Sequence, residues 1–200
     1  MSLDEKTIAV YDRLARHHQH FIRDYDEALQ KAFLARLPSP SKILDLGCGH
    51  GIISAQFKDL GHYVTSWDPS IEMQKVALAR FGVSVDIKSF EDLYETSVFD
   101  GIYANFSLLH VPKHDLRRYL HAVKTALVAG GVFHMTMKLG KSENRDKRGR
   151  FYAYYSQFEL ETALSDCGFE VANNLLSADM DLSSGMTNWI AFQSHRPRHR

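Results

Sequence analysis

A short apolar run, Lys42–Leu46, passes directly into Gly47-Cys48-Gly49-His50-Gly51, and the residues that follow take up helical spacing. Three glycines within five positions let the backbone turn sharply and approach a ligand with no Cβ in the way. The helix start beyond them supplies free N–H groups and the positive end of a dipole. Such a junction points to a sheet whose strand ends form a binding edge, because doubly wound sheets take ligands at the carboxyl ends of their strands.

The rest of the chain repeats the strand-then-helix pattern. Apolar residues fall at helical spacing over residues 4–37, with room for a break inside His17–His20, and Pro38–Ser41 ends that segment. Helix 51–60 precedes strand 62–67, and helix 70–81 precedes strand 83–88. Strand 99–104, helix 113–128 and strand 131–137 follow. A charged loop, 138–150, leads to helix 156–167, strand 169–175 and a last strand over 188–194. The expected fold is therefore α/β and doubly wound, with a mostly parallel seven-stranded sheet whose last strand is antiparallel. The end, His195–Arg200, is expected to fray into solvent.

Composition narrows the function. The 200 residues carry 24 Lys+Arg against 24 Asp+Glu, which argues against nucleic-acid binding by bulk electrostatics. The N-terminus lacks the apolar core of a secretory signal, and no window reaches the roughly 18 apolar residues of a membrane span. Cys48 and Cys167, in unrelated contexts, suggest neither a disulfide framework nor a metal site. His17, His18 and His20 lack a carboxylate or cysteine to complete a ligand set, so no metal is expected. These features suit a cytoplasmic protein.

Asp45 stands two residues before the first glycine, and Asp68 follows the second strand. The order D-x-G-x-G-x-G differs from the G-x-G-x-x-G of nicotinamide-binding folds, which lacks that leading acid. An acid at the end of the second strand can grip a ribose diol by charge-assisted hydrogen bonds. ILDLGCGHG followed by WDPS closely resembles the glycine motif and ribose acid of class I S-adenosylmethionine-dependent methyltransferases. The resemblance runs motif by motif over about residues 42–138, and more loosely beyond.

It implies a Rossmann-like methyltransferase fold that binds S-adenosylmethionine and releases S-adenosylhomocysteine. It places Gly47, Cys48, Gly49 and Gly51 against the methionine part, Asp45 near the amino group, Asp68 on the ribose and Pro69 beside adenine. Where many members carry an acid near adenine this chain has Ser89-Phe90, leaving the Ser89 hydroxyl and the Phe90 N–H for that edge. Asn105 and Phe106 fall next to the sulfonium, with His110 just beyond. The segment YDRLARHHQHF resembles the family's helical lid, with Tyr11 touching the cofactor. Residues 1–37 thus form a lid, 38–195 the catalytic domain and 196–200 a flexible tail.

The catalytic candidates are His110 and Tyr11. In-line methyl transfer needs alignment above all, and a base only where the accepting atom must lose a proton. His110 can supply that base or simply pack at the strand edge. Arg148, Arg150 and Tyr154, in a basic and tyrosine-rich stretch, are candidate substrate contacts, or part of a solvated loop. The expected reaction is methylation of an oxygen or nitrogen on a small acceptor bearing an anionic group. An RNA-modifying enzyme is the first alternative and a non-catalytic S-adenosylmethionine-binding protein the second. A nicotinamide-dependent reductase survives only if the glycine motif is misread.

Overall fold

The computed structural model describes residues 4–15, 24–181 and 185–198. His17, His18 and His20, and the join between the first two helices, lie outside the described residues. Helix α1 (Glu5–Leu14) is capped by the Asp4 side chain, and α2 (Asp24–Leu34) leads toward the first strand. Then come β1 (Lys42–Leu46), α3 (Ile52–Asp59), β2 (Tyr63–Trp67), α4 (Ile71–Phe81), β3 (Phe99–Asn105) and α5 (Leu116–Ala126). The chain closes with β4 (Leu127–Lys138), β5 (Glu143–Arg145), β6 (Phe151–Ala153), α6 (Gln157–Asp166), β7 (Glu170–Asp181) and β8 (Gly185–His195).

The main sheet has the order β2-β1-β3-β4-β8-β7. Its first four strands are parallel, and β8 lies antiparallel between β4 and β7. The last strand is thus antiparallel as expected, but the sheet has six strands and not seven. Residues 83–88, expected as a strand, contribute one bridge between Trp67 and Asp86. Val83 and Val85 are buried, yet beyond Asp86 the chain turns away into a 3-10 turn, Phe90–Asp92. Ser89 caps that turn in a reciprocal capping box with Asp92, so the local cap takes groups that would have extended the ladder.

Two further expectations change. The charged stretch 138–150 is part of a hairpin in which β5 pairs antiparallel with β6. Asp146 closes its turn by accepting the N–H groups of Arg148 and Arg150, each at 2.9 Å. At the C-terminus, the Arg196 backbone exchanges hydrogen bonds with Gly130 and Gly131 and its guanidinium donates to the Leu127 carbonyl. The chain is therefore held through Arg196, because the β4 turn offers carbonyls that a bidentate guanidinium satisfies.

The core explains why the strand ends are presented together. The amphipathic face of α5 (Leu116, Leu120, Val123) and the α6 residues Leu160 and Leu164 bury one face of β3 and β4. On the other face Phe33 of α2 stacks on Phe57 of α3 and meets the Tyr103 ring edge-on. Phe33 fits because Gly101 has no Cβ: one there would lie 2.6 Å from the Phe33 ring. Packing on both faces leaves the carboxyl ends of β1, β2 and β3 to open toward α1 and α2.

Candidate active site

The glycine junction shows why each small residue stands where it does. Gly47 has φ +83°, and a Cβ there would lie 2.4 Å from the Ser107 Cβ. Ser107 in turn donates to the Leu46 carbonyl at 2.7 Å, tying the ends of β1 and β3 together. The Gly49 N–H donates to Asp68 Oδ2 at 2.8 Å, and the Ser70 N–H donates to Oδ1 at 2.9 Å. Asp68 therefore organises both the glycine loop and the start of α4. Gly51, left-handed at φ +75°, begins α3 with its back against Ala77 and Val83.

Two carboxylates face this opening, Asp45 buried and Asp68 half-buried. Asp45 accepts a hydrogen bond from Ser54 Oγ at 2.6 Å, and Ser66 supports Ser54 at 2.8 Å. Burial pushes the Asp45 carboxyl up to about 7 and that of Asp68 to about 6. At the end of β3, Phe106 adopts φ +52°, a left-handed conformation unusual for an aromatic residue. Strain of this kind persists where surrounding structure imposes it, often at ligand sites.

Helix α1 covers the opening through contacts on both sides. Asp12 accepts from Ser70 Oγ at 2.6 Å and from the Glu72 N–H at 3.2 Å, latching α1 onto α4. On the hairpin side Arg145 forks onto Asp4 with both contacts at 2.8 Å, and the Phe151 N–H donates to Thr7 Oγ1 at 2.8 Å. Tyr11 Oη lies 2.8 Å from His110 Nε2, and His110 Nδ1 lies 2.5 Å from the Phe151 carbonyl. A carbonyl only accepts, so Nδ1 carries the proton and Nε2 accepts from Tyr11. Burial holds His110 down at about 4 and raises Tyr11 above the ordinary phenol.

The result is a cavity of about 240 Å³. Its wall brings together Tyr11, Asp45, Gly47, Cys48, Gly49, Asp68, Pro69, Phe90, Asn105, Phe106 and His110. Gly51 stands behind this wall. Ser89 lies outside it, with its hydroxyl engaged in the cap of the Phe90 turn. Arg148 is exposed on the hairpin turn, and Tyr154 packs against Gly140 and Tyr152. Arg150 also lies off the wall: it binds Asp146 at 2.8 Å, and its guanidinium sits over the Tyr11 and Tyr152 rings. It acts on the site through Tyr11.

Sequence reasoning missed Thr7, Ile8, Gln30, Ile53, Gln56, Ser70 and Met73, all of which line the cavity. Thr7 and Ile8 belong to the same helix as Tyr11, and Ser70 has the N-cap signature, so weak signals existed for these three. A second cavity, about 310 Å³, lies beside the first and shares Thr7, Phe90 and His110 with it. Its remaining wall includes Asp4, Asp115, Tyr119, Arg145 and Phe151.

A family model described as a methyltransferase domain matches residues 15–174. The chain belongs to this methyltransferase family. S-adenosylmethionine is the cofactor of this family. A ubiquinone biosynthesis O-methyltransferase from Xanthomonas axonopodis pv. citri is 37% identical over 110 residues, covering 51% of this chain and 45% of that protein. The match thus spans less than half the length of that curated relative. The Burkholderia thailandensis 1,6-didemethyltoxoflavin-N1-methyltransferase, solved with 1,6-didemethyltoxoflavin and S-adenosylhomocysteine, superposes with a TM-score of 0.73. Identity there is 20%, over 98% of this chain and 92% of that one. A Methanosarcina mazei S-adenosylmethionine-dependent methyltransferase gives 0.72 at 17% identity, over 84% and 98% of the two chains. These structural likenesses establish the methyltransferase fold.

Proposed function

We propose that this chain methylates a hydroxyl oxygen of a small acceptor seated in the second cavity, with S-adenosylmethionine in the first. The observation that carries this reading is the Tyr11–His110 pair, with His110 on the wall common to both cavities. The residues suit the cofactor: a buried and a half-buried carboxylate face the first cavity, and Gly47 has no room for a side chain. Asp68 accepts from the ribose diol, Asp45 faces the amino group, and Pro69 and Phe90 flank adenine. Asn105 and the strained Phe106 stand at the methyl-transfer end.

The bound sulfonium supplies an electrophilic methyl group and a neutral thioether leaving group. An acceptor hydroxyl that takes up the methyl group would carry a strongly acidic proton that must leave. Tyr11 Oη accepts that proton while passing its own to His110 Nε2. A base held down at about 4 suffices, because it needs only to exceed the basicity of an alkylated hydroxyl. The lid and the aromatic wall align acceptor and donor, which can supply roughly 7–11 kcal/mol of the barrier.

The name of the Xanthomonas relative, an O-methyltransferase, supports oxygen as the accepting atom. Support for an anionic acceptor is thinner than the six basic residues of 138–150 suggest, since Arg145 holds Asp4 and Arg150 holds Asp146. The test is methyl transfer from labelled S-adenosylmethionine to matched phenols, anilines, carboxylates and bulk RNA. Phenol turnover that falls in Tyr11→Phe supports the reading. Preferential labelling of amines or RNA, or full activity in Tyr11→Phe, overturns it.

A further inference from the structure

Asp115, on the wall of the second cavity, stands at the start of α5, where an aspartate ordinarily accepts a backbone N–H of the first helical turn. Here it does not. Its backbone is already helical, at φ −95° and ψ −16°, and its side chain makes no cap hydrogen bond. Asp4, Ser70 and Ser156, at extended backbone, all cap their helices. The Asp115 carboxylate is nonetheless largely covered, with 16% of its side chain exposed. Arg118 Nε and His114 Nε2 each stand 3.5 Å from it. Both contacts are longer than a close charge-assisted hydrogen bond, at about 2.8 Å.

The cations around this cavity are already engaged. Arg145 gives both arms of its fork to Asp4 at 2.8 Å and also donates to the Gly149 carbonyl. Arg118 is divided among Asp115, Glu91 at 3.6 Å and the Tyr119 hydroxyl at 2.7 Å. Lys113 is paired with Glu159 at 3.0 Å. Three carboxylates, Asp4, Glu91 and Asp115, thus meet two guanidinium groups, Arg118 and Arg145, one negative charge in excess. The rest of the wall is aromatic and apolar: Phe90, Tyr119, Phe151, Val111 and Pro112. Ring faces attract cations, and a largely covered carboxylate attracts them further. We infer that the acceptor is cationic: a phenol carrying a protonated amine. The ammonium donates to Asp115, and the hydroxyl sits beside His110 on the wall shared with the first cavity. An anionic substituent at the same place is repelled. The inference rests on the proposed methylation of a hydroxyl in this cavity, and its test separates the two.

Calorimetric titration of the protein saturated with S-adenosylhomocysteine decides it. Tyramine, 4-propylphenol and 3-(4-hydroxyphenyl)propionate serve as matched cationic, neutral and anionic phenols. Wild type should bind tyramine about tenfold more tightly than propylphenol, as for one hydrogen bond to a charged group, and the propionate more weakly than either. In Asp115→Asn, which keeps the shape and removes the charge, the tyramine preference should shrink to about twofold or less. Asp115→Glu should restore most of it, which a merely structural role for the side chain would not. Equal binding of tyramine and propylphenol, a preference for the propionate, or binding of none of the three overturns the inference. So does a tyramine preference that survives in Asp115→Asn. Turnover of the same phenols with labelled S-adenosylmethionine tests the other reading. Tyramine that binds as expected but gains label on nitrogen, or none, overturns methylation of the hydroxyl and leaves the charge preference standing.

Discussion

Tyr11 Oη and His110 Nε2 lie 2.8 Å apart across 99 residues of sequence, joining α1 to the 3-10 turn that follows the third strand. Arg150 sits over the Tyr11 ring and reaches its hydroxyl at 3.4 Å, so a cation, a phenol and an imidazole form one chain ending on the Phe151 carbonyl. Each member sets the hydrogen-bonding role of the next. The arrangement holds His110 as a neutral acceptor with its lone pair on the phenol.

Removing the phenol oxygen tests that relay. Tyr11→Phe should lower kcat by about 10²-fold or more, within the range of a lost proton-transfer group. Its S-adenosylhomocysteine affinity should stay within about threefold of wild type. Because His110 is held near 4, it stays neutral above about pH 5 and should impose no acid limb on kcat between pH 6 and 9. A kcat profile with a limb near 6.5 that vanishes in His110→Ala would contradict this.

Asp68 should make cofactor binding sensitive to mild acid. Burial raises its carboxyl from 3.8 to about 6, so it takes up a proton as the pH falls through that value. S-adenosylhomocysteine affinity should weaken between pH 7 and 5 as the charged acceptor is lost. Asp68→Ala should bind roughly 10- to 100-fold more weakly at pH 8, with that pH dependence largely gone. Calorimetry across pH 5 to 8 reads both effects.

Asp45 should trade stability for binding. Its carboxyl is raised from 3.8 to about 7, so the folded form resists ionisation that the unfolded chain undergoes freely. The cost is absent below about pH 4, grows as the pH rises, and is complete above 7 at up to about 4 kcal/mol. Asp45→Asn keeps an acceptor for Ser54 Oγ and removes the charge. At pH 8 it should raise the thermal midpoint, by roughly 2–4 °C for each kcal/mol recovered, while weakening S-adenosylhomocysteine. An unchanged or lower midpoint at pH 8 would count against a charge buried at that site.

Glycines of the junction should differ in what they tolerate. Gly47→Ala adds both left-handed strain and a clash at 2.4 Å with the Ser107 Cβ, whereas a Cβ at Gly49 meets open space. Gly47→Ala should cost about 1–3 kcal/mol more than Gly49→Ala in urea unfolding, since the packed β1–β3 seam must shift. Equal losses would show that backbone strain alone governs both positions.

Much of the framework was legible because it is encoded locally. The glycine junction, the acids before and after it, and the helices expected over 70–81, 113–128 and 156–167 each announce themselves within a few residues. The missing seventh strand shows the limit of such reading. Residues 83–88 have strand composition, but Ser89 and Asp92 offered the backbone a better local cap.

The sequence by itself determined that a strand, a glycine turn and a helix would meet two acids, and so determined the family and the cofactor. Short-range geometry sufficed, since Asp45, the glycines and Asp68 sit on adjoining elements of one supersecondary unit. Only the tertiary structure decided that Arg150 would be spent on Asp146 and Tyr11, and that Tyr11 would meet His110. Tyr11 reaches His110 across 99 residues and Arg150 across 139. Contacts of that span depend on how α1, α2 and the β5–β6 hairpin pack over the sheet, and no local pattern of residues carries that information.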